Sequence, residues 1–129
     1  MRLLLDTSVL IDTLRSRSAR RQWLAAMIRE GHTLATSALN LAEVYAGMHP
    51  EEEARTKSFL LSLECHEITA GVAEIAGKLK NLWATKGRTI TLADALVAAV
   101  ALQLDCTLAT DNRKDFPMPE LKLYPLPLE

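Results

Sequence analysis

Cysteine, glycine, proline and aromatic residues are scarce in this sequence, and their scarcity limits the classes of protein and the kind of core that are possible. The two cysteines, Cys65 and Cys106, lie far apart and form no Cys-x-x-Cys or Cys/His pattern, which argues against a structural zinc site or a disulfide framework. Five glycines and five prolines in 129 residues are too few for a disordered or fibrous chain. Aromatic residues make up only 5%, so the core must consist mainly of Leu, Ala, Val and Ile. We expect a single globular domain over residues 1–129.

The sequence also lacks an excess of either charge and any long apolar run. Fifteen basic and sixteen acidic residues give a formal charge of −1, without the basic surplus of a general nucleic-acid binder. The apolar run at residues 3–5 is too short for a signal peptide or a membrane span. No GxGxxG, P-loop or G-x-S-x-G pattern occurs. We therefore expect a cytoplasmic protein that does not associate with membranes.

What the sequence does contain is an alternation of short strands and helices. Ser37, Thr69 and Thr91 are placed to cap helices, and Thr7 and Ser8 offer capping hydroxyls before a helix that starts at Val9. The pattern predicts strands at 3–5, 33–36, 65–68, 107–109 and 121–124, helices beginning near residues 9, 23, 38, 50, 70 and 92, and a basic connection at 16–21. This alternation favours an α/β sandwich around a mostly parallel central sheet.

An aspartate follows the first predicted strand directly. Leu3, Leu4 and Leu5 lead into Asp6, and ligands of such sheets bind beyond the carboxyl ends of the strands. Asp6 could alternatively be the N-cap of the helix that follows. It is the strongest candidate for a site residue in the chain.

Asp94 is the only charged residue in the apolar stretch from Leu92 to Gln103. An unpaired buried carboxylate costs several kcal/mol, which is on the order of the stability of a whole domain, so something must compensate its charge. The compensation could come from a capping box, because Thr91 and Asp94 have that spacing, or from a functional site. The two roles are compatible.

Glu43 shares one face of a predicted helix with Asn40 and Gly47, at positions i, i+3 and i+7. A single Glu on a helix is ordinarily solvated. A glycine inside a helix costs about 1 kcal/mol, which predicts close approach by another group at Gly47 and favours a functional role for Glu43.

A fourth acidic position follows the strand at 107–109, where the sequence offers Asp111, Asn112 and Asp115. Asp and Asn are also ordinary turn residues, and a site needs one or two of the three at most.

Carboxylates that are drawn together repel one another, so they favour raised pKa values or bound cations. Their hard oxygen atoms suit Mg²⁺ or Mn²⁺, which can activate water for an in-line attack on a phosphodiester. Eight basic residues could hold the backbone phosphates of a nucleic acid or could simply be solvated surface: Arg15, Arg17, Arg20, Arg21, Lys86, Arg88, Arg113 and Lys114. The pattern indicates a metal-dependent nuclease.

Four short motifs occur in the order found in the PIN-domain family, and specifically in the VapC toxins of toxin–antitoxin systems. They are residues 4–9, 37–43, 92–99 and 108–116, which contain Asp6, Glu43, Asp94 and Asp111 respectively. Each motif is weak alone, but four in order in a chain of this size are specific. The sequence therefore resembles that family over nearly its whole length.

The resemblance implies a three-layer α/β/α fold and Mg²⁺- or Mn²⁺-dependent endonucleolytic cleavage of RNA. It also implies a homodimer and inhibition by a VapB-type antitoxin whose tail covers the acidic groove. Asp6, Glu43 and Asp94 match the family's first three acidic positions, with Thr7 or Ser8, Ser37 and Thr110 as supporting residues. Many relatives place the last acid where this chain has Asn112, so we rank Asp111 first as the fourth ligand, with Asn112 and Asp115 as outer candidates.

Three alternatives were weighed against this interpretation. A phosphatase of the haloacid dehalogenase type needs a second aspartate two residues after the first, and Ser8 stands there. A DNA-directed nuclease with the same metal chemistry stays open, because carboxylates do not distinguish the sugar. A catalytically silent binding module with the same fold would be expected to have lost acids, and this chain retains the three main ones.

Overall fold

Five short strands form the centre of the fold in the computed structural model, which describes residues 1–15 and 18–126. The strands are β1 (Arg2–Leu5), β2 (Thr33–Ser37), β3 (Glu64–His66), β4 (Thr107–Ala109) and β5 (Lys122–Leu123). Their order across the sheet is β3-β2-β1-β4-β5, and every neighbouring pair is parallel. The mostly parallel sheet predicted from the sequence is confirmed.

Six α-helices connect the described strands and cover both faces of the sheet. They are α1 (Thr7–Leu14), α2 (Ser18–Arg29), α3 (Ala38–Gly47), α4 (Glu53–Leu61), α5 (Ala70–Thr85) and α6 (Leu92–Gln103). Short 3₁₀ turns lie at Pro50–Glu52 and Arg113–Asp115. The predicted three-layer α/β/α architecture is confirmed.

The central strand β1 supplies buried leucines to both layers. Side chains alternate between the two faces of a strand, so Leu3 and Leu5 point one way and Leu4 points the other. Leu3 and Leu5 pack in the hydrophobic cluster that contains residues of α1, α2, α3 and α4. Leu4 packs in the cluster built largely from α5 and α6. A strand buried on both faces reads as a continuous apolar run, as this one does.

Several element boundaries differ from the sequence prediction. Helix α2 begins at Ser18, so the predicted connection at 16–21 lies partly inside a helix, and Ser16 and Arg17 lie outside the described residues. Helix α1 begins at Thr7 with Asp6 as its N-cap, so the capping role expected of Thr7 and Ser8 was wrong. The predicted caps Ser37, Thr69 and Thr91 are confirmed, since each hydroxyl accepts a backbone N–H of the first helical turn.

Both cysteines are free thiols, Cys65 exposed and Cys106 buried. Within residues 1–15 and 18–126, none of the helices combines the length and the hydropathy needed to cross a bilayer.

Candidate active site

The carboxyl ends of the three central strands meet at one edge of the sheet. β1 lies between β2 and β4, and the register pairs Leu5 with Ala109. The backbone N–H of Asp6 donates to the carbonyl of Ala109 over 3.0 Å, which sets Asp6 beside Thr110. On the other side, β2 ends at Ser37, where α3 begins. The parallel topology therefore gathers the residues that follow these strands into one place.

Asp6 is a buried carboxylate with a full set of hydrogen bonds. It is only 7% exposed. Its Oδ1 accepts the Thr7 N–H over 2.9 Å and the Asn40 side-chain amide over 3.2 Å, and its Oδ2 accepts the Thr110 hydroxyl over 2.7 Å. Asp6 is thus both the N-cap of α1 and a charged group at the centre of the edge, so the two interpretations of this residue hold together.

Asn40 organises the neighbouring side chains, and the sequence analysis did not single it out as a site residue. Its side chain is fully buried in the first turn of α3. Its carbonyl oxygen accepts the Ser37 hydroxyl over 2.5 Å, and its NH₂ donates to Asp6 and, over 3.0 Å, to the Thr7 hydroxyl. An amide among the apolar residues Leu39 and Leu41 was the available signal, of the same kind that identified Asp94.

Glu43 lies at the solvent side of this network. The Thr7 hydroxyl donates to its Oε1 over 2.6 Å, so Glu43 is linked through Thr7 to Asn40 and Asp6. The side chain itself is exposed. The close approach expected at Gly47 was wrong: a Cβ placed on that glycine meets nothing within 4 Å. The hydrogen bond from the Thr7 hydroxyl, and not the neighbouring glycine, connects Glu43 to the site.

Thr7 and Ser8 were equal candidates for support of the site, and the structure separates them. Thr7 makes the hydrogen bonds given above, whereas the buried Ser8 hydroxyl has no hydrogen-bond partner within residues 1–15 and 18–126. Ser37 and Thr110 both reach the network, Ser37 through Asn40 and Thr110 directly on Asp6.

Asp94 lies half-buried in the first turn of α6. Its backbone N–H donates to the Thr91 hydroxyl over 3.1 Å, which gives the expected helix cap. Burial raises the pKa of Asp94 above its ordinary value of 3.8, and the charges of Asp115, Asp6 and Glu43 raise it further, while a hydrogen bond with Thr91 lowers it. Asp94 therefore experiences the charges of Asp6, at the end of β1, and of Glu43, on α3.

The pKa of Asp6 is raised as well. Burial is the largest cause, and the charge of Glu43 adds to it. Hydrogen bonds from Thr110, Thr7 and Asn40 oppose the shift, because they stabilise the ionised form. Hydrogen bonds therefore hold Asp6 in place as an acceptor, whereas burial and the charge of Glu43 disfavour its ionised form.

The three residues proposed for the fourth acidic position have different partners. Asp111 Oδ1 lies 2.8 Å from Nη2 of Arg20, in an ion pair. The backbone N–H of Asn112 donates to the Thr110 hydroxyl over 3.0 Å. Asp115, half-buried, lines a small pocket together with Asp94, Arg88 and Thr91. Of the three, Asp115 is the one whose charge acts on Asp94.

The basic residues suggested for phosphate contacts divide into two groups. Arg20 is 3% exposed and pairs with acidic side chains, so both the phosphate-binding and the solvated-surface interpretations were wrong for it. Arg17 lies outside the described residues. The others are exposed: Arg15, Arg21, Lys86, Arg88, Arg113 and Lys114. Arg88 lines the pocket of Asp94 and Asp115 and donates to the carbonyl of Lys114.

The donor set suits a hard divalent cation, although it is not a closed cage. Within residues 1–15 and 18–126, no three Asp, Glu, His or Cys side chains come close enough together to hold one ion by themselves. Mg²⁺ is commonly held by one or two carboxylates, with water and substrate phosphate oxygens completing its shell. Burial is the largest cause of the raised pKa values of Asp6 and Asp94 and neighbouring carboxylates add to it, and a nearby cation would favour the ionised form of both groups.

Comparison with known proteins places this chain in a family. A PIN domain model matches residues 3–118. Ribonuclease VapC19 of Mycobacterium tuberculosis is 34% identical over 120 residues, which cover 92% of this chain and 96% of the relative. Ribonuclease VapC10 of the same organism is 36% identical over 116 residues, 90% of this chain and 86% of the relative. Among solved structures, VapBC2 from Rickettsia felis bound to a fragment of promoter DNA aligns with a TM-score of 0.86 and 26% identity, over 96% of this chain and 98% of that one.

Proposed function

Because this chain belongs to the PIN domain family, we propose that it is the ribonuclease toxin of a VapBC-type toxin–antitoxin system. We propose further that it cleaves RNA endonucleolytically with the help of Mg²⁺ or Mn²⁺. The similarity to ribonucleases along nine-tenths of the chain supports the reaction class. The acidic residues at the carboxyl edge of the sheet support the proposal that cleavage occurs there.

One observation carries the assignment of the site. Asp6 is buried at the carboxyl end of the central strand, and its two oxygens are fixed by donors from β4, α1 and α3. Glu43 and Asp94 lie on different helices: the charge of Glu43 opposes the ionisation of Asp6, and the charges of Asp6 and Glu43 oppose that of Asp94. A fold gains no stability from gathering like charges, so we infer that the arrangement serves a cation and a phosphodiester.

We propose that Asp6, Glu43 and Asp94 supply the metal ligands, with Asp115 as the fourth carboxylate in place of Asp111, and that one or two of them hold an ion whose shell is completed by water and substrate oxygens. A bound Mg²⁺ or Mn²⁺ would supply a water of lowered pKa as the nucleophile and would stabilise charge on the phosphate oxygens. Thr7, Asn40 and Thr110 orient the carboxylates by hydrogen bonding, and Ser37 in turn orients Asn40. Such supporting residues keep ligands in position before the substrate arrives.

RNA must be held near this negative surface by a few local cations, since the chain carries a formal charge of −1. We propose that the exposed side chains of Arg88, Arg113 and Lys114 contact the backbone phosphates. Arg88 shares a pocket with Asp94 and Asp115, so a phosphate bound there lies within reach of the carboxylates.

We propose a VapB-type antitoxin and a second copy of this chain as protein partners. The structural relatives include VapBC complexes in which toxin and antitoxin were solved together, among them that of Rickettsia felis. An antitoxin segment that covers the carboxylate edge would exclude RNA and supply cationic groups to the acids.

The test is cleavage of a labelled RNA by wild-type protein, Asp6→Asn and Asp94→Asn, with Mg²⁺ or Mn²⁺ and with EDTA. We expect cleavage by the wild type only with metal, and a loss of about 100-fold or more in each variant, because the loss of a metal ligand costs at least as much as the loss of an outer partner. Both variants should unfold at the same temperature as the wild type or a higher one, since each removes a repelled charge.

The same assay separates the alternatives. Cleavage of DNA in preference to RNA of the same sequence would support the DNA-directed nuclease. Wild-type protein that cuts neither substrate and binds no Mn²⁺ in a calorimetric titration would contradict the proposal and favour a silent binding module.

A further inference from the structure

A buried arginine beside the site has no role in the chemistry proposed above. Arg20 lies near the start of α2 with 3% of its side chain exposed. Its Nη2 contacts Asp111 Oδ1 at 2.8 Å and lies 3.6 Å from Asp12 Oδ2 on α1. Its Nε and Nη1 are buried without hydrogen-bond partners among residues 1–15 and 18–126. A buried charge with so few partners is expensive, and a buried ion pair seldom adds net stability.

The partner of this arginine lies next to a site residue. Asp111 directly follows Thr110, whose hydroxyl donates to Asp6 Oδ2. The turn continues with Asn112, whose backbone N–H donates to the same Thr110 hydroxyl. A contact that fixes Asp111 therefore fixes the backbone on which Thr110 stands, and with it the orientation of the Thr110 hydroxyl toward Asp6.

We propose that Arg20 is a positioning residue, which holds Asp111, whose own side chain is 38% exposed, in a partly buried ion pair and through it the turn that directs Thr110 onto Asp6. Asp111 then acts as the counter-ion of Arg20 and does not bind the metal. Arg20 acts from the protein interior and does not contact RNA. The catalytic part of this inference rests on the function proposed above, whereas the ion pair itself can be tested by unfolding alone.

The first test is a double-mutant cycle on the unfolding temperature, which needs no activity. Asp111→Asn removes the nearest counter-ion of a buried charge, so it should lower the unfolding temperature by about 5 °C or more. In an Arg20→Met background the buried guanidinium is absent, so the same change should cost less than about 2 °C. An Arg20→Lys background retains the positive charge, so the loss of unfolding temperature caused by Asp111→Asn should return there. This background also serves if the methionine variant fails to fold. Equal losses in all three backgrounds would overturn the ion pair as the role of Asp111.

The second test separates positioning from RNA contact and from metal binding. Arg20→Met should lower kcat by about tenfold with KM for RNA changed by less than about twofold, and Arg20→Lys should recover part of kcat. Arg29→Met, an exposed arginine of the same helix, is the matched control and should change neither constant. A raised KM with unchanged kcat in Arg20→Met would overturn the proposal in favour of phosphate contact.

Calorimetric titration with Mn²⁺ completes the comparison. We expect Asp115→Asn to weaken Mn²⁺ binding more than Asp111→Asn does. The reverse order, with the unfolding temperature of Asp111→Asn equal to that of the wild type, would make Asp111 a ligand and overturn the proposal. If wild-type protein neither bound Mn²⁺ nor cut RNA, the proposed function would fail, while the unfolding cycle would still decide whether the ion pair exists.

Discussion

At the scale of single residues, the site is defined by how each carboxylate is compensated. Asp6 is buried and accepts three hydrogen bonds, whereas Glu43 is exposed and accepts one from Thr7. The Asp94 carboxylate has a hydrogen bond with Thr91. Hydrogen bonds fix their positions, but burial and mutual repulsion still raise the pKa of Asp6 and Asp94. Carboxylates that are held in position but not neutralised gain the most electrostatic stabilisation when a cation binds.

The raised pKa of Asp6 predicts a definite pH dependence of stability. Between 3.8 and the raised value, the folded protein holds a proton that the unfolded chain has lost, so the free energy of unfolding falls as pH rises through this interval. Asp6→Asn removes this penalty, and its stability relative to the wild type should increase over the same interval. In Asp6→Asn, only the hydrogen bond with Thr110 must change direction, because the new amide NH₂ donates to the Thr110 hydroxyl.

Urea unfolding in EDTA, repeated from pH 4 to pH 7, measures this difference. Asp105→Asn, which removes an exposed aspartate away from the acidic edge, is the control and should show a smaller change with pH. A stability difference between Asp6→Asn and wild type that shrinks as pH rises would contradict the account.

At the scale of elements, the sequence predicted the parts that follow local rules. The mostly parallel sheet and the α/β sandwich follow from alternation of apolar runs with capped helices, and the caps at Ser37, Thr69 and Thr91 formed as expected. The places of Arg20 and Asn40 could not be predicted in this way, because each is buried by contacts with elements distant in sequence. The roles of Asp111 and Asp115 depend on a short turn whose direction no periodicity encodes.

Two threonine N-caps with the same hydrogen bond allow the effect of a cap on helix stability to be separated from its effect on the site. The hydroxyls of Thr91 and Thr69 each accept a backbone N–H over 3.1 Å, but Thr91 caps the helix of Asp94 and Thr69 caps α5. Thr91→Ala and Thr69→Ala should each cost about 1 kcal/mol of stability. Only Thr91→Ala should slow RNA cleavage, by about tenfold, because Thr91 also contacts the Asp94 side chain.

Thermal unfolding and single-turnover cleavage of the two variants, measured side by side, check this expectation. Equal cleavage rates would mean that the cap supports α6 alone and contributes nothing to the orientation of Asp94.

At the scale of the whole molecule, the fold concentrates its chemistry at one edge of the sheet. The central strand carries leucines to both layers and ends in Asp6, so the most buried part of the core positions the acid. Glu43 comes from α3, which contributes residues to both hydrophobic clusters, and Asp94 comes from α6, which packs in the cluster that contains Leu4. Because both layers must be assembled before the carboxylates meet, the acidic edge exists only in the folded chain.

Mn²⁺ binding should therefore stabilise the folded protein, since the unfolded chain has no such cluster. It should do so through Asp6 and Asp94 together, which are the two carboxylates whose pKa values burial and neighbouring charges raise. An ion bound at any other surface would leave the proposed chemistry without its nucleophile.

The most direct measurement is anomalous diffraction from crystals of the wild-type protein soaked with Mn²⁺, collected near the manganese absorption edge. The account predicts a peak at the carboxyl end of β1, within coordination distance of at least one oxygen of Asp6 and one of Asp94, that is absent in Asp94→Asn crystals. Crystals that show no peak at this edge, from protein that still cleaves RNA in EDTA, would contradict it.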